Sequence, residues 1–208
     1  MYCMKKLFIS ACLLVPGLAH ASGSLPDIQK QWAICEYRTL SSQQDNCFST
    51  LGSRVQGLVS SQPTNAKYLI WSAIIDSSWA GTKGGLGALS LVKKAKGALE
   101  KAIALDPNAL EGSAYTSLGV LYYRVPGWPI GFGDDKKAEQ YLQAALKMNP
   151  SGIDPNYFYG DYLLKQGHKK EAKQYLTIAL AAAPRAGREI ADQGRKDDIQ
   201  KDLALLKK

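Results

Sequence analysis

Small and large apolar residues recur at helical spacing in three stretches of the chain, residues 94–107, 137–150 and 171–184. In each stretch an Ala is followed by Leu four residues later, by a second Ala three residues further on, and by Pro after another five. Offsets of four and seven place the three apolar side chains on one stripe of an α-helix, and Pro cannot continue a helix because it lacks an N–H. The pattern predicts three helices, each with a small-large-small face on which a neighbouring helix packs closely. The triples are Ala95/Leu99/Ala102, Ala138/Leu142/Ala145 and Ala172/Leu176/Ala179.

A partner helix is predicted before each of these helices, because aromatic and large-small pairs recur upstream of them. The pairs are Tyr68 with Trp71-Ser72 and Ile75, Tyr115 with Leu118-Gly119 and Tyr122, and Tyr159-Gly160 with Leu163. From Pro150 to Pro184 the unit is 34 residues long, with a short turn at 166–168. This pattern resembles the tetratricopeptide repeat (TPR) family. The resemblance implies an all-α fold, a short right-handed solenoid of antiparallel helix pairs with capping helices at its ends.

The N-terminal residues are typical of a secretory signal. Lys5 and Lys6 precede an apolar run at 7–18, and small residues follow at Ala19-His20-Ala21. Lipid attachment at Cys12 is less favoured, because the apolar run before that cysteine is too short. The sequence therefore predicts an exported, periplasmic protein. Its predicted parts are a signal at 1–21, a capping hairpin at 22–62, TPR-like units at 63–109, 110–152 and 153–187, and a capping helix at 188–208.

Two cysteines, Cys35 and Cys47, remain after signal removal, and in an oxidising compartment they are expected to form a disulfide. They fall on two predicted helices, 25–40 and 46–60, which the polar residues 41–45 separate. At the other end of the chain, residues 188–207 carry Ile199, Leu203 and Leu206 on one helical face, with charges elsewhere. This helix is expected to cover the last repeat.

Charge and residue types argue against several classes of function. The net charge of +8 falls to +6 without Lys5 and Lys6, but its basic residues are interleaved with acids, so nucleic acid is not an expected partner. His168 is the one histidine after the signal, which disfavours a catalytic triad or a zinc site. Asp134 is better explained as a helix N-cap than as a calcium ligand. The sequence predicts no enzyme, no metal and no cofactor.

Units one and two are longer than the regular unit, by eleven and seven residues, and both insertions fall between the two helices of a unit. The insertions, 81–87 and 125–133, are expected to project from one side of the stack and to be candidates for specific function. The second contains Trp128, Ile130 and Phe132, which are unusual in a turn. Either this loop folds over its own helix pair and buries its rings, or it is a contact patch for a ligand or partner.

The resemblance also implies that the first helix of each unit lines a concave groove. The predicted ligand or partner site combines groove positions with the second loop: Asp76, Thr116, Tyr123, Arg124, Trp128, Phe132, Tyr157, Asp161 and Lys165. This mixture of aromatic and charged side chains suits an apolar ligand with a polar end, or an extended peptide.

The predicted function is non-enzymatic binding of a partner protein or small apolar ligand. The enlarged turns look like those of the TPR subunits associated with TRAP transporters, which implies a role as an accessory transport subunit. The alternatives are an envelope-assembly scaffold that binds peptide segments and, in another class, a hydrolase or its regulator. The mature chain is expected to have no transmembrane segment, and its oligomeric state is left open.

Overall fold

The computed structural model describes residues 23–206, which form nine α-helices and no β-strand. The helices are α1 (Leu25–Tyr37), α2 (Ser41–Ser61), α3 (Ala66–Lys83), α4 (Gly85–Leu105), α5 (Ser113–Arg124), α6 (Asp135–Met148), α7 (Ile153–Lys165), α8 (Lys169–Leu180) and α9 (Glu189–Leu205). A short 3-10 turn, Ala109–Gly112, leads from α4 into α5. The predicted all-α class is confirmed for this part of the chain. The predicted signal segment lies outside the described residues.

The three small-large-small faces are buried, as the sequence predicts. All nine residues of the Ala/Leu/Ala triples have no exposed surface. Each of the last two leucines fills space beside a glycine on the preceding helix: a Cβ added to Gly119 would lie 2.7 Å from Leu142 Cγ, and one added to Gly160 would lie 2.9 Å from Leu176 Cγ. The helices of a pair therefore approach closely because small residues face the leucine that is buried between them.

Five helices are linked in a closed series of neighbours. Each of α1, α3, α5, α7 and α9 packs against the next in that order, and α9 also packs against α1. The even-numbered helices α4, α6 and α8 pack mainly on the helix that precedes each of them. The first and last helices of the described chain are thus in contact, and the odd-numbered helices form a ring.

Helix α9 does more than cover the last repeat. Ile199 and Leu203 pack with residues of α7 and α8, in agreement with the prediction. Ala191, one turn into the same helix, belongs to a separate apolar cluster with Trp32 of α1 and Trp71 of α3. The helix therefore joins both ends of the molecule.

The N-terminal hairpin contains the predicted bond between Cys35 and Cys47, whose Cα atoms are 5.6 Å apart. The helix bounds differ from the prediction: α1 ends at Tyr37, and residues 41–45 form the first turn of α2 rather than a break. Gln44 explains part of this difference, because its Nε2 donates to the backbone carbonyls of Cys35 and Glu36 at 3.1 Å each. Carbonyls at the end of α1 thereby gain partners from the start of α2.

The first insertion, which the sequence places between the two helices of unit one, is itself helical. Helix α3 continues to Lys83 and α4 begins at Gly85, leaving Gly84 as the connection. Gly84 has a φ of 69°, a conformation that a residue with a Cβ rarely adopts, so glycine allows the reversal in one step. The extra residues lengthen both helices into a projecting hairpin. The second insertion is a loop, and the predicted Asp134 N-cap is confirmed, since its Oδ1 accepts from the backbone N–H of Lys137 at 3.1 Å.

The contact between α9 and α1 can be tested at Gly194. This glycine lies against the ring of Tyr37, and a Cβ there would overlap the ring carbons. We expect Gly194→Ala to lower the free energy of unfolding by about 1–3 kcal/mol. Gly57→Ala, at an exposed site in α2 where a Cβ meets nothing within 4 Å, should raise it by about 0.5–1 kcal/mol. Urea unfolding followed by circular dichroism measures both, and equal effects would contradict close packing of α9 on α1.

Candidate functional site

Several predicted groove residues are brought together between α5 and α7. Asp161 Oδ2 accepts from the Tyr123 hydroxyl and from Arg124 Nη2, both at 2.5 Å. Lys165 Nζ donates to the backbone carbonyl of Tyr123. These charged and polar groups bind one another, so their hydrogen-bonding capacity is largely used within the protein.

Helix α9 lies over this surface. The Arg195 guanidinium is 4.5 Å from the ring centres of both Tyr157 and Phe158, and its Nε donates to Asp154 Oδ1 at 3.0 Å. Nη1 of the same arginine lies 3.5 Å from Asp198 Oδ2, which also accepts from the Tyr37 hydroxyl at 3.3 Å. Of the predicted groove residues, Tyr157 is therefore covered by α9, whereas Arg124 and Lys165 remain exposed. We call the joined set the central network: Tyr37, Tyr123, Arg124, Asp154, Tyr157, Asp161, Lys165, Arg195, Asp198 and Asp202.

Two arginines share one carboxylate at the start of α7. Asp154 binds Arg195 through Oδ1, while its Oδ2 accepts from Arg185 Nη1 at 2.6 Å. Arg185 also binds Asp192 of α9, with Nη2 to Oδ1 at 2.6 Å and its backbone N–H to Oδ2 at 2.8 Å. Burial acts to raise the pKa of Asp154, but the two arginines outweigh it and hold that pKa well below its usual range. This carboxylate stays charged through the physiological range.

The pKa of Asp202 is shifted in the opposite direction from that of Asp154. Burial, together with the nearby charges of Asp161 and Asp198, raises the pKa of its carboxyl from 3.8 to about 6. Burial also raises the pKa of Glu36 on α1, against the opposing effects of a Ser78 hydrogen bond and Arg195. The central network can therefore hold and release a proton at mildly acidic pH.

Two of the remaining predicted residues lie elsewhere. Asp76 is 1% exposed and pairs with Lys94, whose Nζ lies 3.0 Å from its Oδ2, so it links α3 to α4. Thr116 is buried within α5 and exposes almost no surface to a ligand. Neither side chain is part of the central network.

The loop between α5 and α6 presents two apolar side chains to solvent. Trp128 is 90% exposed and Ile130 is 66% exposed. The interpretation in which the loop buries its rings is wrong for Trp128 but holds for Phe132, which packs edge-on against Tyr122 with ring centres 5.7 Å apart. The loop is internally bonded, since the N–H of Gly133 donates to the carbonyl of Pro126 at 2.9 Å.

The lengthened α3–α4 hairpin carries a third exposed apolar residue. Leu86, at the start of α4, is 87% exposed. Lys96 Nζ lies 5.9 Å from the Phe132 ring centre, which places the loop beside α4. Leu86 is ten residues nearer the tip of the hairpin, or about 15 Å along the helix. We call Leu86, Trp128 and Ile130 the apolar edge.

A separate surface groove of about 320 Å³ lies between α8 and α9, at the small end of the range for ligand sites. It is lined by Lys173, Thr177, Gln200, Leu203, Ala204 and Leu206. None of the residues that the sequence predicts for binding lies in it.

Sequence reasoning missed the contribution of α9 to the central network. It placed the charges of this helix on a solvated face, away from Ile199. Arg195, Ile199 and Asp202 are spaced by four and three residues and so share one face. That spacing, with Gly194 beside the arginine, is the signal that could have identified a buried charged face.

Comparison with protein-family models and with curated proteins found no match for this chain. Between residues 23 and 206, no helix is both long and apolar enough to cross a membrane. The same described range holds no cluster of three or more His, Cys, Asp or Glu side chains that could bind a metal ion.

Arg195 can be tested by a substitution that keeps its aliphatic bulk. Arg195→Met removes one of the two cations bound to Asp154 and the contact with two aromatic rings. We expect the free energy of unfolding to fall by about 3 kcal/mol in urea titrations, because a half-buried carboxylate loses a partner. Lys201→Met, an exposed site on the same helix, should change it by less than about 0.5 kcal/mol. A wild-type stability for Arg195→Met would show that this network does not hold α9 in place.

The raised pKa of Asp202 predicts a pH dependence of stability. Between about pH 4 and 6 the folded protein binds a proton that the unfolded chain has released, so the free energy of unfolding falls as pH rises through this window. Since solvent screens the half-exposed carboxyl, we expect a change of about 1 kcal/mol rather than the full linkage value. Asp202→Asn should be more stable than wild type by this amount at pH 7.5 and equal to it near pH 4. Asp197→Asn, at an exposed neighbouring site, should parallel wild type at every pH, and the prediction fails if Asp202→Asn does so too.

Proposed function

We propose that this protein is an exported, non-enzymatic docking protein, a short right-handed TPR-like solenoid that binds its partner through the apolar edge. The observation that carries the proposal is the 90% exposure of Trp128 in a loop rich in apolar residues. A fully solvated indole contributes little to folding, whereas tryptophan is among the residues that contribute most when buried at an interface. The exposure of the Trp128 ring to solvent is explained if a partner protein or surface covers the ring.

The structure around Trp128 supports this role. The loop is closed by backbone hydrogen bonds between its two ends, and Phe132 anchors it on Tyr122. Such a loop loses little conformational entropy on binding, because it is already ordered. The two lengthened segments belong to units one and two, and the loop lies beside α4, since Lys96 Nζ is 5.9 Å from the Phe132 ring centre.

The predicted periplasmic location and the resemblance to TRAP-associated TPR subunits make the proposed docking function more specific. The bond between Cys35 and Cys47 suits an oxidising compartment such as the periplasm. The resemblance to TRAP-associated TPR subunits favours an accessory role beside a transport system of the cell envelope. A scaffold that binds peptides in the predicted groove is less well supported, because Tyr157 lies under Arg195 of α9 and the charged residues Arg124, Asp161 and Lys165 are bonded within the protein.

One observation favours a catalytic alternative. A carboxyl with a pKa of about 6, as at Asp202, is suited to general acid catalysis. Its carboxylate neighbour Asp161, however, is bonded to Tyr123 and Arg124. Turnover of an ester or glycan that is lost in Asp202→Asn would support a hydrolase instead of a docking protein.

Site-specific photo-crosslinking in cells tests the docking proposal. A photoreactive amino acid is placed at position 128 or, as a matched control, at position 178, where Ile178 of α8 is 44% exposed. Irradiation of the intact envelope should give a discrete adduct from position 128 and little from position 178. A transporter subunit in that adduct would support the accessory role. No adduct at 128, or equal labelling at both sites, would contradict docking through the apolar edge.

A further inference from the structure

The partner of the apolar edge can be named by its chemistry. We infer that the edge docks on an anionic lipid surface, with Trp128, Ile130 and Leu86 entering the interface between headgroups and acyl chains. This inference rests on the proposed docking function and specifies its partner.

The first argument is the form of the edge. Trp128 and Ile130 lie together on one loop, and Leu86 stands alone on the hairpin, about 15 Å along α4 beyond the level of Phe132. A protein partner recognises a contiguous patch whose centre is fully desolvated and surrounded by a rim. A membrane surface is fluid and can receive separate protruding side chains at once. The two separate segments therefore suit a lipid interface better than a protein surface.

The second argument is the type of the exposed residues. Tryptophan concentrates at membrane interfaces, because its ring is apolar while its N–H still reaches water. At 90% exposure, the indole of Trp128 is free to adopt such a position. Leucine and isoleucine add apolar area that can be buried among acyl chains.

The third argument is charge. Residues 76–100 and 119–137, which form the hairpin and the loop with their flanks, hold seven cations and four acids, a net of +3. Three of the four acids are already engaged: Asp76 is buried against Lys94, Glu100 binds Lys96, and Asp134 caps α6. Exposed lysines remain beside the apolar side chains and would meet lipid phosphates. These lysines are Lys93, Lys136 and Lys137, while Lys83 is exposed but pairs with Asp45 of α2.

Vesicle binding by the full exported chain tests the inference. The probes are vesicles of phosphatidylcholine with about 30% phosphatidylglycerol, and vesicles of phosphatidylcholine alone, at low salt. We expect sedimentation with the anionic vesicles, weakening as salt is added, and weak or no binding to the neutral ones. Brominated lipids should quench tryptophan fluorescence, since Trp32 and Trp71 are buried and Trp128 is the most exposed indole in the described chain.

Variants of the apolar edge test whether vesicle binding depends on its apolar side chains or only on the basic charge of the protein. Trp128→Ser should lower affinity for anionic vesicles by about tenfold or more and abolish the added quenching, and Leu86→Ser should lower affinity by a smaller factor. Ile178→Ser, at an exposed apolar site on α8, should bind like wild type. Both edge positions are solvated, so circular dichroism should remain unchanged.

The outcomes distinguish this inference from the function on which it rests. A lipid adduct from position 128 together with vesicle binding supports both. A protein adduct from position 128 with no vesicle binding overturns the lipid surface and leaves docking intact. Equal vesicle binding by Trp128→Ser and wild type, or equal binding to neutral and anionic vesicles, also overturns the inference.

Discussion

The position of α9 depends on Arg195, and much of the molecule depends on α9. The guanidinium lies against two aromatic rings of α7 and binds Asp154, which Arg185 also holds. A charge removed from water is tolerated only when it is well paired, so these contacts fix the helix in one place. From there α9 reaches α1 at its other face, where Gly194 lets the ring of Tyr37 lie against its backbone. Arg195 and Gly194 close the ring of odd-numbered helices together with the Arg185–Asp192 pair and the apolar contacts of Ala191 and Ile199.

The closed ring of odd-numbered helices affects which surfaces of the protein can bind a ligand. Tyr123, Arg124, Asp161 and Lys165 bind one another between α5 and α7, although Arg124 and Lys165 keep exposed surface. A ligand entering there would have to replace paired charges, which costs more than burying apolar surface elsewhere. The two most exposed large apolar side chains, Trp128 and Leu86, lie on the loop between α5 and α6 and at the start of α4. The pairing between α5 and α7 thus contributes to stability, and we propose the apolar edge as the binding surface.

The lengthened hairpin and the loop obtain their rigidity in different ways. Helices α3 and α4 add turns on both sides of Gly84, so each added residue gains its own backbone hydrogen bond. The loop between α5 and α6 is held by bonds between its own ends and by the ring of Phe132 on Tyr122. Both segments therefore hold Leu86 and Trp128 away from the body of the protein without relying on a partner for order. A docking surface that is ordered beforehand binds with less entropic loss.

The repeated Ala/Leu/Ala spacing was enough to predict the all-α class, the three buried faces and the pairing of helices, because these follow from the period of an α-helix and from side-chain size. The two cysteines left after the predicted signal likewise predicted the bond between Cys35 and Cys47 in an oxidising compartment. Local pattern placed residues 81–87 between two helices and could not reveal that α3 continues to Lys83, since glycine permits a turn or a helix according to what packs beside it. Local pattern also could not predict that Arg195 lies over Tyr157 and Phe158, or that Trp128 is exposed to solvent. Those outcomes depend on contacts between residues distant in the chain, and such contacts exist only once the helices have met.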